Sequence, residues 1–166
     1  MMKVSRADIR RAFNPSNRLN YSESLQLEEA CQEVADHVNM GSLIFAREEP
    51  TIPDIELAPK SYNESNDHRH LKAVGAYLLR QRGETEIQYE SLEFDVYGAT
   101  MKIRVECGET PVYRLLGSFF SVPPSSLREF WTIPYPYMGE PIKVYKFILN
   151  PDYKPPKYDS GIEIIG

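Results

Sequence analysis

Residues 85–107, TEIQYESLEFDVYGATMKIRVEC, hold three short runs in which apolar and polar residues alternate. TEIQYE, LEFDVYG and MKIRVEC read as three successive strands. Leu92, Phe94 and Val96 alternate with Glu93, Asp95 and Tyr97. Met101, Ile103, Val105 and Cys107 alternate with Lys102, Arg104 and Glu106. A period of two predicts that each acid lies on the polar face of a hairpin. Two turn placements are open. A turn centred on Thr100-Met101 sets Asp95 directly across from Glu106, with Cβ atoms about 4.5–5.5 Å apart, and Tyr97 across from Arg104. A turn at Gly98-Ala99, the stronger hairpin signal, sets Asp95 against Lys102 and leaves Glu93 nearest Glu106. Both keep the apolar faces together. The first is preferred, because like charges across a strand pair are costly unless a cation sits between them.

Working outward, residues 66–82 predict a helix with a buried stripe of Leu71, Val74, Leu78 and Leu79, capped by Asn66 or Asp67 and ended by Gly83. Residues 111–121 predict another, with Thr110 as its N-cap and Pro111 in its first turn. REFWTIPY (128–135) and IKVYKFIL (142–149) follow as strands. The central order is α-β-β-β-α-β. This predicts an α/β (α+β) fold with a mixed central sheet flanked by helices.

Ahead of that core, residues 3–13 predict a short basic helix carrying Arg6, Arg10 and Arg11, capped by Ser5 and stopped by Asn14-Pro15. Residues 22–38 predict a second helix with Leu27, Cys31, Val34 and Val38 on one face. SLIFA (42–46) reads as a strand and residues 47–67 as a loop. The expected organisation is a helical N-terminal extension over 1–60, a core over 61–150 and an irregular tail over 151–166.

The chain has 166 residues, 42% hydrophobic and 26% charged, which fits one globular domain. A net charge of −5 argues against a broad nucleic-acid coat protein, which needs many cations to release counterions. It is compatible with an acidic metal site served by a local basic patch. Cys31 and Cys107 form no CxxC pair, so no zinc site is expected. No apolar signal segment or membrane-length run is visible, and an intracellular, cytoplasmic protein is expected.

Two carboxylates on one face of a hairpin can hold Mg²⁺ or Mn²⁺ through hard oxygen ligands. Such an ion activates a water and stabilises a phosphodiester transition state, usually with help from a cationic group. The segment from His68 to Tyr135 resembles the restriction-endonuclease-like, or PD-(D/E)XK, nucleases, and most closely their small archaeal and viral members. The matching pieces are the helix HRHLKAVGAYLLRQRG, the strand bearing Asp95, the strand ending VECG, a helix, and FWTIPY. The resemblance implies metal-dependent cleavage of DNA, with Asp95 and Glu106 as metal ligands and a homodimer as the working unit. The chain departs from the family pattern at Gly108, where a lysine belongs, and at Phe94, which replaces a proline before Asp95.

A substitute cation is therefore expected from Arg104, Lys102, Arg114 or Lys72. Arg104 shares the face of Glu106, though an ion pair with Glu93 is its simpler role. Glu93 is a further candidate ligand. Glu64, Asp67 and Glu90 are accessory acids, each read first as a solvent-exposed charge. His68 and His70 could act on a proton or metal but read first as surface or capping residues. Trp131, Tyr135 and Tyr137 could stack on unpaired bases, with the simpler reading that 130–133 is a buried strand.

Overall fold

A computed structural model describes residues 3–13, 18–61, 63–90, 94–121 and 125–153. In chain order the elements are α1 (Arg6–Phe13), α2 (Tyr21–Met40), β1 (Leu43–Glu48), α3 (Asn66–Arg82), β2 (Ile87–Tyr89), β3 (Val96–Gly98), β4 (Ile103–Cys107), α4 (Tyr113–Phe120), β5 (Glu129–Ile133) and β6 (Val144–Leu149). The expected α-β-β-β-α-β order is present as α3 to β5. The strands form one mixed sheet in the order β1-β6-β5-β4-β3-β2. β4 and β5 run parallel, joined through α4, and the other pairs are antiparallel. A parallel pair needs such a crossover, whereas β2-β3-β4 is a meander closed by turns.

The sheet is packed on both faces. On one side Leu71, Val74, Ala76 and Leu79 of α3 meet Val96, Ile103, Val105 and Cys107. On the other, α1, α2 and α4 bring Ile9, Phe13, Val34, Leu115 and Phe119 onto Phe130 and Phe147. Alternation along β5 follows: Phe130 belongs to one core and Trp131 to the other. Trp131 is fully buried, so it presents no face to a base.

The N-terminal segment is built into this sheet. β1 pairs with β6 along its whole length, Leu43 with Leu149 through Glu48 with Val144, and forms one edge. α1 and α2 supply much of one core. The expected separation near residue 60 therefore runs through a shared sheet and core.

Local capping differs from expectation at two helices. Ser65 caps α3 by accepting from the His68 N–H, in place of Asn66 or Asp67. Thr110 does not cap α4; Val112 stands at the cap with no side-chain bond, and the buried Thr110 hydroxyl has no hydrogen-bond partner. For α2, Asn20 and Glu23 form a reciprocal capping box. Ser5 and Asp8 do the same for α1, as expected for Ser5. The Asn14-Pro15 stop lies outside the described residues.

The β3–β4 register is the decisive detail. Val96 pairs with Val105, Tyr97 with Arg104 and Gly98 with Ile103. The turn spans residues 99–102, centred on Thr100-Met101, and continuing the ladder by one places Asp95 opposite Glu106. The Gly98-Ala99 turn is not used. Glu84 explains this. Its carboxylate accepts hydrogen bonds from the backbone N–H groups of Thr85, Glu86, Thr100 and Met101 at 2.8–3.3 Å. A Cβ at Gly98 would lie 2.6 Å from Glu84 Oε1, so glycine there admits the carboxylate. Burial works to raise the Glu84 pKa, but the N–H groups of Glu86, Met101 and Thr100 outweigh it and hold the pKa below the ordinary value.

Candidate active site

Asp95 stands one residue before β3 and Glu106 near the end of β4, across the strand pair. The predicted solvent-facing side of β4 does not exist: every residue of β4 is buried, and Glu106 is 2% exposed. Alternation correctly separates polar from apolar side chains, but α4 covers the polar ones. Arg104, also buried, donates from Nε to Glu106 Oε1 at 2.7 Å and from Nη1 to Ser118 of α4 at 2.8 Å. Its guanidinium lies 4.0 Å from the Phe94 ring centroid and 5.1 Å from that of Phe130. The expected pairing of Arg104 with Glu93 lies outside the described residues, which do not include Glu93.

Each carboxylate has one oxygen tied to the scaffold and one turned toward a base. Asp95 Oδ2 accepts the Cys107 N–H at 2.8 Å. Its Oδ1 lies 3.4 Å from His68 Nε2. Both of the close Arg104 contacts go to Glu106 Oε1, at 2.6 and 2.7 Å. Oε2 faces Arg114 Nη1 at 3.7 Å, and that side chain is 35% exposed. Burial first, and then the Asp95 charge, push the Glu106 pKa up to about 7, while the bonds from His68 and Cys107 outweigh burial and keep Asp95 low.

Behind Asp95 a polar chain continues along α3. His68 Nδ1 meets Glu64 Oε2 at 2.6 Å, and Lys72 Nζ meets the same oxygen at 2.7 Å. Lys72 also binds Glu90. His68 and Lys72, spaced i, i+4, share one face of α3, and Glu64, just ahead of the Ser65 cap, turns back onto both. Lys72 is fully buried, a position a lone lysine takes only when paired. Burial opposes ionisation of Glu64, but the hydrogen bonds from Lys72, the Ser61 N–H and His68 bring its pKa down to about 2. The bond to Asp95 leads the effects that raise His68 to about 9 against the cost of burial.

The remaining candidates are not brought in. Lys102 lies at the hairpin turn, four residues along β4 from Glu106, about 13 Å away at strand rise. His70 is two residues from His68, and residues so spaced on a helix do not face each other. Asp67 is likewise one residue off the His68–Lys72 face of α3. Glu64 and His68, first read as surface groups, instead link Lys72 to Asp95. The i, i+4 spacing of His68 and Lys72 was the available signal.

The glycine at 108 has a steric cause. Its φ is +78°, and a Cβ there would lie 2.5 Å from the Tyr135 ring. The Tyr135 ring fills the space a lysine side chain would leave through. A Gly108→Lys variant is therefore expected to lose about 1–3 kcal/mol of stability from the backbone alone. Adding Tyr135→Ala should recover only part of it, because the backbone conformation stays strained. Urea unfolding of the single and double variants measures both. Equal midpoints for Gly108→Lys and the wild type would remove the steric account.

A cavity of about 320 Å³ opens beside His68, lined also by Glu64, Ser65, Glu90 and Tyr135. Among the described residues, no three His, Cys, Asp or Glu side chains are grouped to hold one ion. Two carboxylates still suit Mg²⁺ or Mn²⁺, because Mg²⁺ is bound through one or two carboxylates plus waters and phosphate. The Thr132 hydroxyl, on the residue in register with Glu106, is buried with no hydrogen-bond partner among the described residues.

The chain matches no family model, no curated protein and no solved structure. No helix among the described residues is long and apolar enough to cross a membrane. Both cysteines are buried and free, so neither is in a disulfide.

The titration of this network predicts a pH profile. His68 binds its proton more tightly when folded, so its contribution is complete below about pH 6.5 and is lost as pH rises through about 9. Glu106, with a raised pKa, adds to the loss on the same side. Glu64 works oppositely: its contribution is present above about pH 4.5 and is lost as pH falls toward about 2. The urea midpoint is expected to be higher near pH 5 than at pH 9, and His68→Gln should flatten the alkaline fall. A midpoint that rises with pH would contradict the assignment.

Proposed function

We propose that the protein is a metal-dependent nuclease acting on DNA phosphodiesters, with Asp95 and Glu106 holding Mg²⁺ or Mn²⁺. One observation carries the reading: Asp95 and Glu106 stand across from each other on neighbouring strands, each with one oxygen held by the scaffold and the other 3.4–3.7 Å from His68 or Arg114. Bound there, the ion would lower the pKa of a water and take up charge from the phosphate. Arg104 holds Glu106 in place through Oε1 and acts as a positioning residue. His68 orients Asp95 and is oriented in turn by Glu64. Arg114, partly exposed at the rim, is the cation placed to meet a phosphate, a task no side chain at 108 can take.

The second reading is a nuclease-like protein that binds DNA or a protein partner without cutting. The exclusion of any side chain at 108 by Tyr135 favours it, as does the basic partner that each acid already has. One experiment separates the two. Single-stranded, linear duplex and branched DNA are incubated with the full chain in Mg²⁺ or Mn²⁺, with EDTA controls. Metal-dependent cleavage of any form supports the nuclease. No cleavage of all three, together with no Mn²⁺ binding by electron paramagnetic resonance, leaves the binding protein.

A further inference from the structure

We propose that the groove between α1 and the β5–β6 connection binds single-stranded DNA and leads it to the cavity beside His68. The choice of DNA rests on the nuclease reading; the binding chemistry of the groove stands apart from it.

The groove has a volume of about 580 Å³. Its charged lining is Arg10, Arg11 and Lys143 against Glu140, three cations to one anion, a surplus of two positive charges on a chain whose net charge is −5. Each cation has an acidic neighbour: Arg10 with Glu28 at 2.5 Å, Arg11 with Asp8 at 3.2 Å, and Lys143 with Glu140 at 3.5 Å. Arg10 and Arg11 are 43% and 71% exposed. Ion pairs so exposed contribute little, so a phosphate can compete for the cations.

The opposite contribution is aromatic. Tyr137 is 76% exposed and Tyr135 37% exposed, and both line the groove. Pro134 and Pro136 alternate with them and restrict the backbone that carries the rings. Cations beside exposed rings suit a strand whose bases are free to stack, since stacking on an aromatic side chain needs an unpaired base face. A duplex presents phosphates alone to such a wall, and a net charge of −5 argues against a broad basic surface for it.

Tyr135 gives the groove its destination. It also lines the cavity beside His68, and its ring packs on Gly108, two residues past Glu106. A strand lying along Tyr137 and Tyr135 therefore reaches the cavity beside His68, whose Nε2 lies 3.4 Å from Asp95 Oδ1.

The test is the anisotropy of a fluorescein-labelled oligothymidine titrated with the full chain in EDTA at low salt. Tyr137→Ala should raise Kd about tenfold. Arg11→Gln with Lys143→Gln should reduce the slope of log K against log salt by about 1.4, or roughly 0.7 for each phosphate no longer neutralised. An unchanged Kd in Tyr137→Ala, or a duplex that binds as tightly as the single strand, overturns the proposal. Binding that follows these expectations without cleavage in Mg²⁺ keeps the groove and ends the nuclease reading. Cleavage without strand binding ends the groove alone.

Discussion

Glu106→Gln is expected to lose Mg²⁺-dependent cleavage by about a thousandfold while keeping a near wild-type urea midpoint. The first half follows from losing one of two anionic ligands: a bound metal ion supplies several kcal/mol of transition-state stabilisation, and about 1.4 kcal/mol is tenfold in rate. The second half follows from the contacts of Arg104. A glutamine oxygen can still accept at the Oε1 position, where both close Arg104 contacts fall. Alanine is the wrong substitution. It leaves the guanidinium of Arg104, itself buried, without its carboxylate, and breaking a buried pair costs about 3–5 kcal/mol. Cleavage rate and unfolding are therefore measured on the same Glu106→Gln sample. A folded variant that cuts at the wild-type rate removes Glu106 from the chemistry and the nuclease proposal with it.

Glu84→Ala is expected to destabilise the protein by about 2–4 kcal/mol, because four backbone N–H groups lose a charged acceptor at once. For a chain of this size that is a fall in Tm of roughly 10 °C. The local signature is sharper than the global one. The amides of Thr100 and Met101 should become fast to exchange with solvent, since Glu84 is what holds them. Loss of the Thr100-Met101 turn frees the hairpin to slip to the Gly98-Ala99 turn. That register turns Asp95 toward Lys102 and dissolves the carboxylate pair. Slow exchange at both amides in the variant would show that the register is held by something other than Glu84.

Much of the architecture was legible from residue pattern. The period-two runs over 85–107 gave the meander, although β2 and β3 are shorter than the runs that announced them. The 66–82 helix has its expected bounds, because Gly83 and the apolar stripe mark it locally. The face-to-face placement of Asp95 and Glu106 could be named as one of two registers, and charge cost pointed to the right one.

What the linear pattern left open was settled by contacts between residues distant in the chain. Nothing near the turn selects Thr100-Met101; the selecting carboxylate arrives from Glu84, beyond two strands. Nothing in KIRVEC tells that its polar face is roofed by α4, which turns surface charges into a buried Arg104–Glu106 pair. Gly108 reads as a missing lysine until Tyr135 is seen against it. Apolar periodicity and turn residues act over a few positions, so they specify elements. Register, burial of charge and steric exclusion arise only when elements meet, and there the chemistry of the candidate site was made.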